Sequence, residues 1–362
     1  MDAVTGLVAL GSVLPGFALK STLVLAGAWA ADRCCGRVSA SSRHLLWAAS
    51  LAGVLVLLLA ELLLPAWTLP LLPSSSSSAP SGAALGVFSP GTALAACWLV
   101  FAALGLLRVA AGWIGVARLR SRAVAFDDPG LLADAREVAA RLGIENGNFH
   151  ICRVSGLPGP CVAGLLRPLV ILPEDSPRWD AERRRLVLCH ELAHLARRDL
   201  FWQALAQVAV AAASFQPLAW LAWRRLREES EKACDDQVLR LGGKASSYAT
   251  ALLMSTRVSR TSRPLLAAAL GEKSELESRL LAVLAPGVRR EAQGRRERAL
   301  AVLGLVALLP LASLKAGNAP AARLPSAPVA DKAEVSPPSP PDPLAAEAAA
   351  DPVAPPSEPS LP

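Results

Sequence analysis

The chain has 362 residues, 53% of them hydrophobic and 19% charged, with a mean hydropathy of +0.39. A soluble globular chain carries about a quarter charged residues, so this composition is too apolar for an ordinary soluble domain. It also excludes a disordered, collagen-like or disulfide-scaffold chain for the bulk of the sequence. The net charge of +7 would suit nucleic acid, but the basic residues flank apolar runs, and the chain has one tyrosine. Cationic loops beside membrane helices explain the same charge, so direct nucleic-acid binding is not expected. Seven cysteines, an odd number without a C-x-x-C pair, indicate neither a disulfide framework nor a zinc ribbon. Four of them lie in residues 119–298, which points to a reducing compartment for that region.

Four stretches read as membrane spans, for which about 20 apolar residues are needed. The first, residues 4–31, is interrupted by Lys20, and Pro15-Gly16 fall part-way along it. Ala28-Trp29-Ala30 resembles a signal-peptide cleavage site, but no positive charge precedes the apolar run. A retained anchor with an external N-terminus fits better. The second span, 45–64, holds one charge, Glu61, and the third, 92–116, holds Arg108. The fourth, 299–315, is the shortest and weakest. Arg33, Arg37 and Arg43 follow span one; Arg118, Arg120 and Arg122 follow span three; Arg289, Arg290, Arg295, Arg296 and Arg298 precede span four. With four spans, all these basic flanks fall on one side, the cytoplasmic one. The 65–91 loop carries no charge, and residues 316–362 form a Pro/Ala-rich tail with six acidic residues. That tail cannot bury a core and is expected to be disordered and extracytoplasmic. Lys20 and Glu61 are functional candidates by their place within spans, but a pair between neighbouring helices is the preferred reading. Cys189 and Cys234 are expected to meet thiol reagents only once the membrane is opened.

Residues 1–118 thus form a membrane region, and 119–298 a cytoplasmic domain with enough charge to fold in water. That domain reads as a helix near 131–142 followed by strands near 149–153 and 169–172, with Gly and Pro between them. Then comes His190-Glu191-Leu192-Ala193-His194 on an apolar helical pattern. Residues four apart share a helix face, so both imidazoles can reach one ion. Glu191, one position on, can hold a water bound to that ion. A five-residue match can arise by chance, yet two of only four histidines in the chain occupy it. A catalytic zinc wants a third protein ligand and one open position. Neither His44, beside span two, nor His150, on a strand, fits that role. A helix over 224–241 offers Glu228, Glu229, Glu231 and Asp235; Glu228, Glu231 and Asp235 share a face, and spacing does not choose among them. Residues 200–223 run for 24 positions without a charge. If they crossed the membrane, His194 and the acidic helix would be parted. Gln203, Gln207, Gln216 and the 214–217 break favour a membrane-associated helical hairpin instead.

Several motifs together resemble the BlaR/MecR-type family of integral-membrane zinc metallopeptidases, over roughly residues 1–315. They are Arg43-His44-Leu45-Leu46-Trp47, Gly164-Leu165-Leu166-Arg167-Pro168, Ile171-Leu172-Pro173, His190-Glu191-Leu192-Ala193-His194 with Arg198-Asp199, and Glu231-Lys232-Ala233-Cys234-Asp235. The resemblance implies a multi-pass α-helical protein of the bacterial inner membrane with an inserted α+β, gluzincin-like cytoplasmic metallopeptidase domain. It implies zinc on His190, His194 and Glu231, with Asp235 supporting a ligand. It further implies a cytoplasmic protein substrate, such as a winged-helix repressor or the chain itself, and leaves homo-oligomer formation open. The β-lactam sensors of the family carry a C-terminal penicillin-binding domain; this tail has no S-x-x-K and does not imply β-lactam sensing.

The expected chemistry is metal-assisted peptide hydrolysis at the bilayer surface, with Glu191 as general base and then acid. An extended substrate would add to an edge strand near 161–166. Tyr248 is a candidate oxyanion stabiliser, with packing as its more ordinary role. The rivals are a non-proteolytic signalling scaffold or receptor with a structural or degenerate zinc site, and, less favoured, a transporter.

Overall fold

The computed structural model describes residues 3–34, 38–64, 67–72, 89–144, 149–157, 159–260 and 271–318. Three long apolar helices lead: α1 (Ala3–Cys34), α2 (Ala40–Leu63) and α3 (Pro90–Ser121). All three are long and apolar enough to cross a membrane. α2 and α3 start ahead of their apolar runs because serines cap them: Ser39 Oγ accepts the N–H of Ser42, and Ser89 Oγ that of Thr92. The other α-helices among the described residues are α4 (Pro129–Arg141), α5 (Ala181–Ala196), α6 (Asp199–Ala212), α7 (Pro217–Arg240), α8 (Ala245–Arg260), α9 (Gly271–Leu284) and α10 (Arg295–Ser313).

Among the described residues six short strands make two sheets. β1 (Trp67–Leu72) pairs in parallel with β6 (Leu314–Asn318). β2 (Val124–Ala125), β3 (His150–Arg153), β4 (Cys161–Ala163) and β5 (Leu169–Leu172) form a second sheet in the order β2-β3-β5-β4. Its central β3–β5 pair is parallel and both outer pairs are antiparallel. The turn from β4 to β5 needs glycine: Gly164 has φ +88, and a Cβ there would sit 2.7 Å from the Arg167 carbonyl oxygen.

The residues of the expected fourth span lie in α10, whose first turn carries Arg295, Arg296, Glu297 and Arg298; unlike α1–α3, it is not among the helices long and apolar enough to cross a membrane. It lies along α2, with Leu305 and Leu308 against Gly53. Because β1 follows α2 and β6 follows α10, their pairing brings the C-terminal ends of both helices together. Of the expected tail, only its first three residues fall among the described ones, within β6; 319–362 lie outside them.

Among the described residues, two large cores and a smaller one, around Leu169 and Ile171 on the sheet, hold the molecule. Phe17 of α1 and Trp47, Leu51 and Leu57 of α2 close around Ala209, Ala219 and Leu226 of α6 and α7. The other large core joins Val170 and Leu172 of the sheet to Leu131 of α4, Leu188 and Leu192 of α5, and Val238 of α7.

The uncharged run at 200–223 bends between α6 and α7, with Pro217 opening α7, so the hairpin forms. Ala213 and Gln216 at its tip are buried beside α1 and α3, where an unpaired backbone or amide group would be costly in an apolar setting. Gln216 Nε2 donates to Thr22 Oγ1 at 2.8 Å, and its Oε1 accepts from Ser21 Oγ at 2.9 Å. Trp98 Nε1 donates to the Ala212 carbonyl at 2.8 Å, and Trp220 Nε1 to that of Ser214 at 3.0 Å. Beside this tip Lys20 Nζ meets Glu61 Oε1 at 2.5 Å, the interhelical pair expected.

Two expectations change. The hairpin's second arm and the acidic helix expected at 224–241 are one uninterrupted helix, α7. At Arg224 the polarity of the sequence changes, but nothing there breaks a backbone. Cys189 and Cys234 are buried; burial pushes the Cys189 thiol up to about 12 and raises that of Cys234 well above the usual thiol range. Neither thiol reports orientation, whichever side it faces, whereas Cys34, at the end of α1, is exposed.

The hairpin is seated on α3 through Gly105, where an added Cβ would lie 2.8 Å from Ala211 Cβ, while Gly112 has nothing within 4 Å. Gly105→Val should therefore destabilise the detergent-solubilised protein by about 1–3 kcal/mol, and Gly112→Val should not. Equal thermal midpoints for the two variants would refute this seating.

Candidate metal centre

α5 is capped by Asp180, whose Oδ1 accepts the N–H of Arg183 at 2.8 Å. It is tied to α4 by Arg184 and Asp134, 2.6 Å apart. Leu188 and Leu192 face the domain core, which turns His190, Glu191 and His194 toward a cleft of about 320 Å³. α5 stops at Arg197, and Arg198 adopts the left-handed conformation, φ 57 and ψ 36. That costs a non-glycine residue about 1–2 kcal/mol. The sharp turn starts α6 at once and places Asp199 beneath His194, Nδ1 to Oδ2 2.9 Å.

α7 brings the other half of the site. His190 Nε2 is 3.5 Å from Glu231 Oε2, and His194 Nε2 is 3.6 Å from Glu231 Oε1. Both imidazoles thus turn Nε2 to the same carboxylate and Nδ1 away from it. His190 Nδ1 lies 3.2 Å from Asp235 Oδ1 and 2.9 Å from the Tyr248 hydroxyl. The Tyr248 hydroxyl donates to Asp235 Oδ1 at 2.6 Å; burial first, then Asp235, raises its pKa well above that of a free phenol, so the proton stays on. Tyr248 thus stands beside His190 with its hydroxyl hydrogen-bonded to Asp235, and it also lines the cleft.

Arg279 of α9 completes the arrangement. It forks onto Asp235 with bonds of 2.9 and 2.7 Å, and its third nitrogen is 2.8 Å from Glu231 Oε2. Burial opposes ionisation of Asp235, but Arg279 and His190 outweigh it and hold the carboxyl at about 2. Asp199 is likewise held below the usual carboxylate range, against burial, by His194 and Arg197. Glu191 is different: burial raises its pKa, and its carboxyl lines the cleft opposite β4. Burial, with Glu191 as the second cause, also pushes the Cys161 thiol on β4 up to about 12.

His190, His194 and Glu231 form a group whose ligand atoms lie within 4.8 Å of one another. Tetrahedral zinc with bonds near 2.05 Å sets donors roughly 3.3 Å apart, close to the nitrogen–oxygen separations here. With neutral imidazoles, Glu191, Glu231, Asp199 and Asp235 carry four negative charges against two on Arg197 and Arg279. A divalent cation balances the remainder, so the donor set fits the ion. Among the described residues a second group, His194, Asp199 and Cys234, overlaps it. There Cys234 Sγ is 3.3 Å from His194 Nδ1 and 3.4 Å from Asp199 Oδ2.

Of the other acidic residues on α7, Glu228 is paired with Arg224 and Arg225 and Glu229 with Lys232, and neither belongs to the group. His150 is exposed on β3. Asp199 entered the sequence reading only as half of an Arg-Asp pair, and its role needed the left-handed turn to be seen. Arg279 had no signal: its charge pattern on α9 is that of any solvated helix.

The family model described as BlaR1 peptidase M56 matches residues 70–283, more than half of the chain. The match takes in α3, the four-stranded sheet and every element that contributes to the site. The chain is also 30% identical over 130 residues to Regulatory protein BlaR1 of Bacillus licheniformis, covering 34% of this chain. That stretch is 22% of the relative's length, so the chain spans about a fifth of that protein. The family is one of metallopeptidases in membrane signalling, and membership implies a metal, usually zinc. The motifs that carried the resemblance are joined here by a match along the chain: it belongs to the BlaR1 peptidase M56 family.

Proposed function

We propose that this chain is a zinc endopeptidase of transmembrane signalling, cutting an extended segment of a cytoplasmic protein at the membrane surface. The substrate class is a repressor of the winged-helix type, or the chain itself. One observation carries the reading: two imidazoles turn their Nε2 atoms to Glu231 while Asp199 and Asp235 hold their Nδ1 atoms. Carboxylate–imidazole pairs of this kind fix ligand orientation and raise ligand basicity. His190, His194 and Glu231 would hold zinc, and 119–298 would form the gluzincin-like unit, with α10 as a fourth span and the domain facing the cytoplasm.

Zinc at this place supplies a Lewis acid and lowers the pKa of water. Glu191 takes a proton from the water that adds to the scissile carbonyl carbon. As the C–N bond breaks, Glu191 returns that proton to the leaving nitrogen. Its raised pKa suits a group that must both accept and give a proton. β4 lies at the sheet's edge, its pairing edge toward β5 used and Cys161 and Val162 lining the cleft. A substrate strand can add there through main-chain hydrogen bonds. Asp235 positions the site from behind His190, and Arg279 and Tyr248 do so from the wall of the cleft. A structural zinc site would have no use for Glu191, a buried carboxyl that makes no hydrogen bond or ion pair among the described residues.

Glu191→Gln should keep one zinc per chain and lower cleavage of a quenched-fluorescent peptide library by about 10²–10⁴-fold. Cleavage at the wild-type rate would remove Glu191 from the mechanism. In titrations against a competing chelator, Glu231→Ala should empty the site and Asp235→Ala should weaken zinc by about 10–100-fold. Glu228→Ala should bind as wild type; the reverse order for Glu228 and Glu231 would mean that the third ligand is misassigned.

A further inference from the structure

We propose that His44, on the membrane helix α2, is a positioning residue that holds the zinc site from the bilayer side through Asp199. This rests on the zinc-site reading above and extends it to a residue outside the metal centre.

The first turns of α2 lie against the junction between α5 and α6. Ser41 Oγ accepts from Arg197 at 2.8 Å, and Arg197 Nε is 3.2 Å from Asp199 Oδ2. One turn further along α2, His44 Nε2 points at Asp199 Oδ1 from 3.6 Å. The His44 residue is 2% exposed and Asp199 0%. Neither His44 nitrogen, nor Asp199 Oδ1, has a hydrogen-bond partner among the described residues. A polar ring with both nitrogens unpaired is out of place on the buried face of an apolar helix, where leucine or phenylalanine would pack as well. Asp199 Oδ1 is the acceptor set beside it, and it is the free half of the carboxylate whose other half orients His194.

The 3.6 Å separation is a few tenths of an ångström beyond a hydrogen bond. A small displacement of α2 relative to the α5–α6 junction closes or opens it. When His44 carries its hydrogen on Nε2 and donates to Oδ1, the Asp199 plane is fixed at both oxygens, and with it the His194 ring. The membrane helix then sets the angle at which His194 meets the ion. Arg43-His44-Leu45-Leu46-Trp47 acquires a division of labour from this: Trp47 fills the membrane core, while His44 reaches the metal centre.

The test uses the full chain in lipid nanodiscs, with zinc and, separately, cobalt as the probe ion. His44→Phe keeps the bulk and removes the donor; His44→Gln keeps an amide N–H near the Nε2 position. His44→Phe should weaken zinc by about 10-fold and shift the visible absorption of bound cobalt, and His44→Gln should restore most of both. Leu51→Ala, two turns along α2 from His44 in the membrane core, should lower thermal stability and leave the cobalt spectrum unchanged. In an Asp199→Asn background, His44→Phe should add less than about 2-fold, since its effect is routed through that carboxylate. Wild-type affinity and spectrum in His44→Phe would overturn the proposal, as would a full 10-fold loss persisting in Asp199→Asn. If His44→Phe does not fold, His44→Met is read by the same criteria. Failure of the wild-type chain to bind zinc would instead overturn the zinc-site reading itself.

Discussion

Two buried carboxylates, Asp199 and Asp235, decide the geometry of this molecule's centre. An imidazole on a helix can rotate about its side-chain bonds, and spacing along α5 alone leaves both rings free to do so. Pinning each Nδ1 fixes the ring plane and the tautomer together. Each carboxylate costs desolvation, which its own guanidinium offsets: Arg197 beside Asp199 and Arg279 beside Asp235. Much of the surrounding chain serves that requirement. The strained turn at Arg198 exists where Asp199 must double back beneath His194, and α9 closes over the site where Asp235 and Glu231 need a cation.

The same helix links this centre to the apolar bundle. α7 carries Trp220 and Trp223 among the apolar residues of its first two turns and Glu231 and Asp235 two to three turns later, without a break. Its start is fastened to α1 through Gln216, Ser21 and Thr22, and α6 is fastened to α3 at Gly105. α5, by contrast, belongs to the sheet-containing core. α7 reaches that core too, through Val238, so the helix that carries Glu231 is packed in the bundle at its start and in the domain at its end.

Much of this was legible before any coordinates. Three of the four apolar runs form helices long enough to cross a membrane, β5 falls at 169–172, and HExxH sits on a buried helix. The hairpin followed from a chemical constraint: ligands of one ion must lie on one side of the membrane. What could not be read was of another kind. The continuity of α7 was hidden because a change of polarity looks like a boundary when the backbone has none. Asp199 and Arg279 become functional only through tertiary contacts, one through a left-handed turn and one through packing of a distant helix. His44 was set aside because a lone histidine at the head of an apolar helix has no partner in its own neighbourhood of sequence. Choosing Glu231 over Glu228 needed family resemblance; in the structure, Glu228 is occupied by two arginines.

The overlapping His194, Asp199 and Cys234 group gives a sharp alternative for the ion, because it would supply sulfur. Zinc K-edge X-ray absorption of the zinc-loaded chain distinguishes the two. Ligation by His190, His194 and Glu231 predicts a shell of nitrogen and oxygen at about 2.0–2.1 Å with imidazole scattering from two rings. A sulfur shell at about 2.3 Å would place the ion on Cys234 and contradict the centre described here.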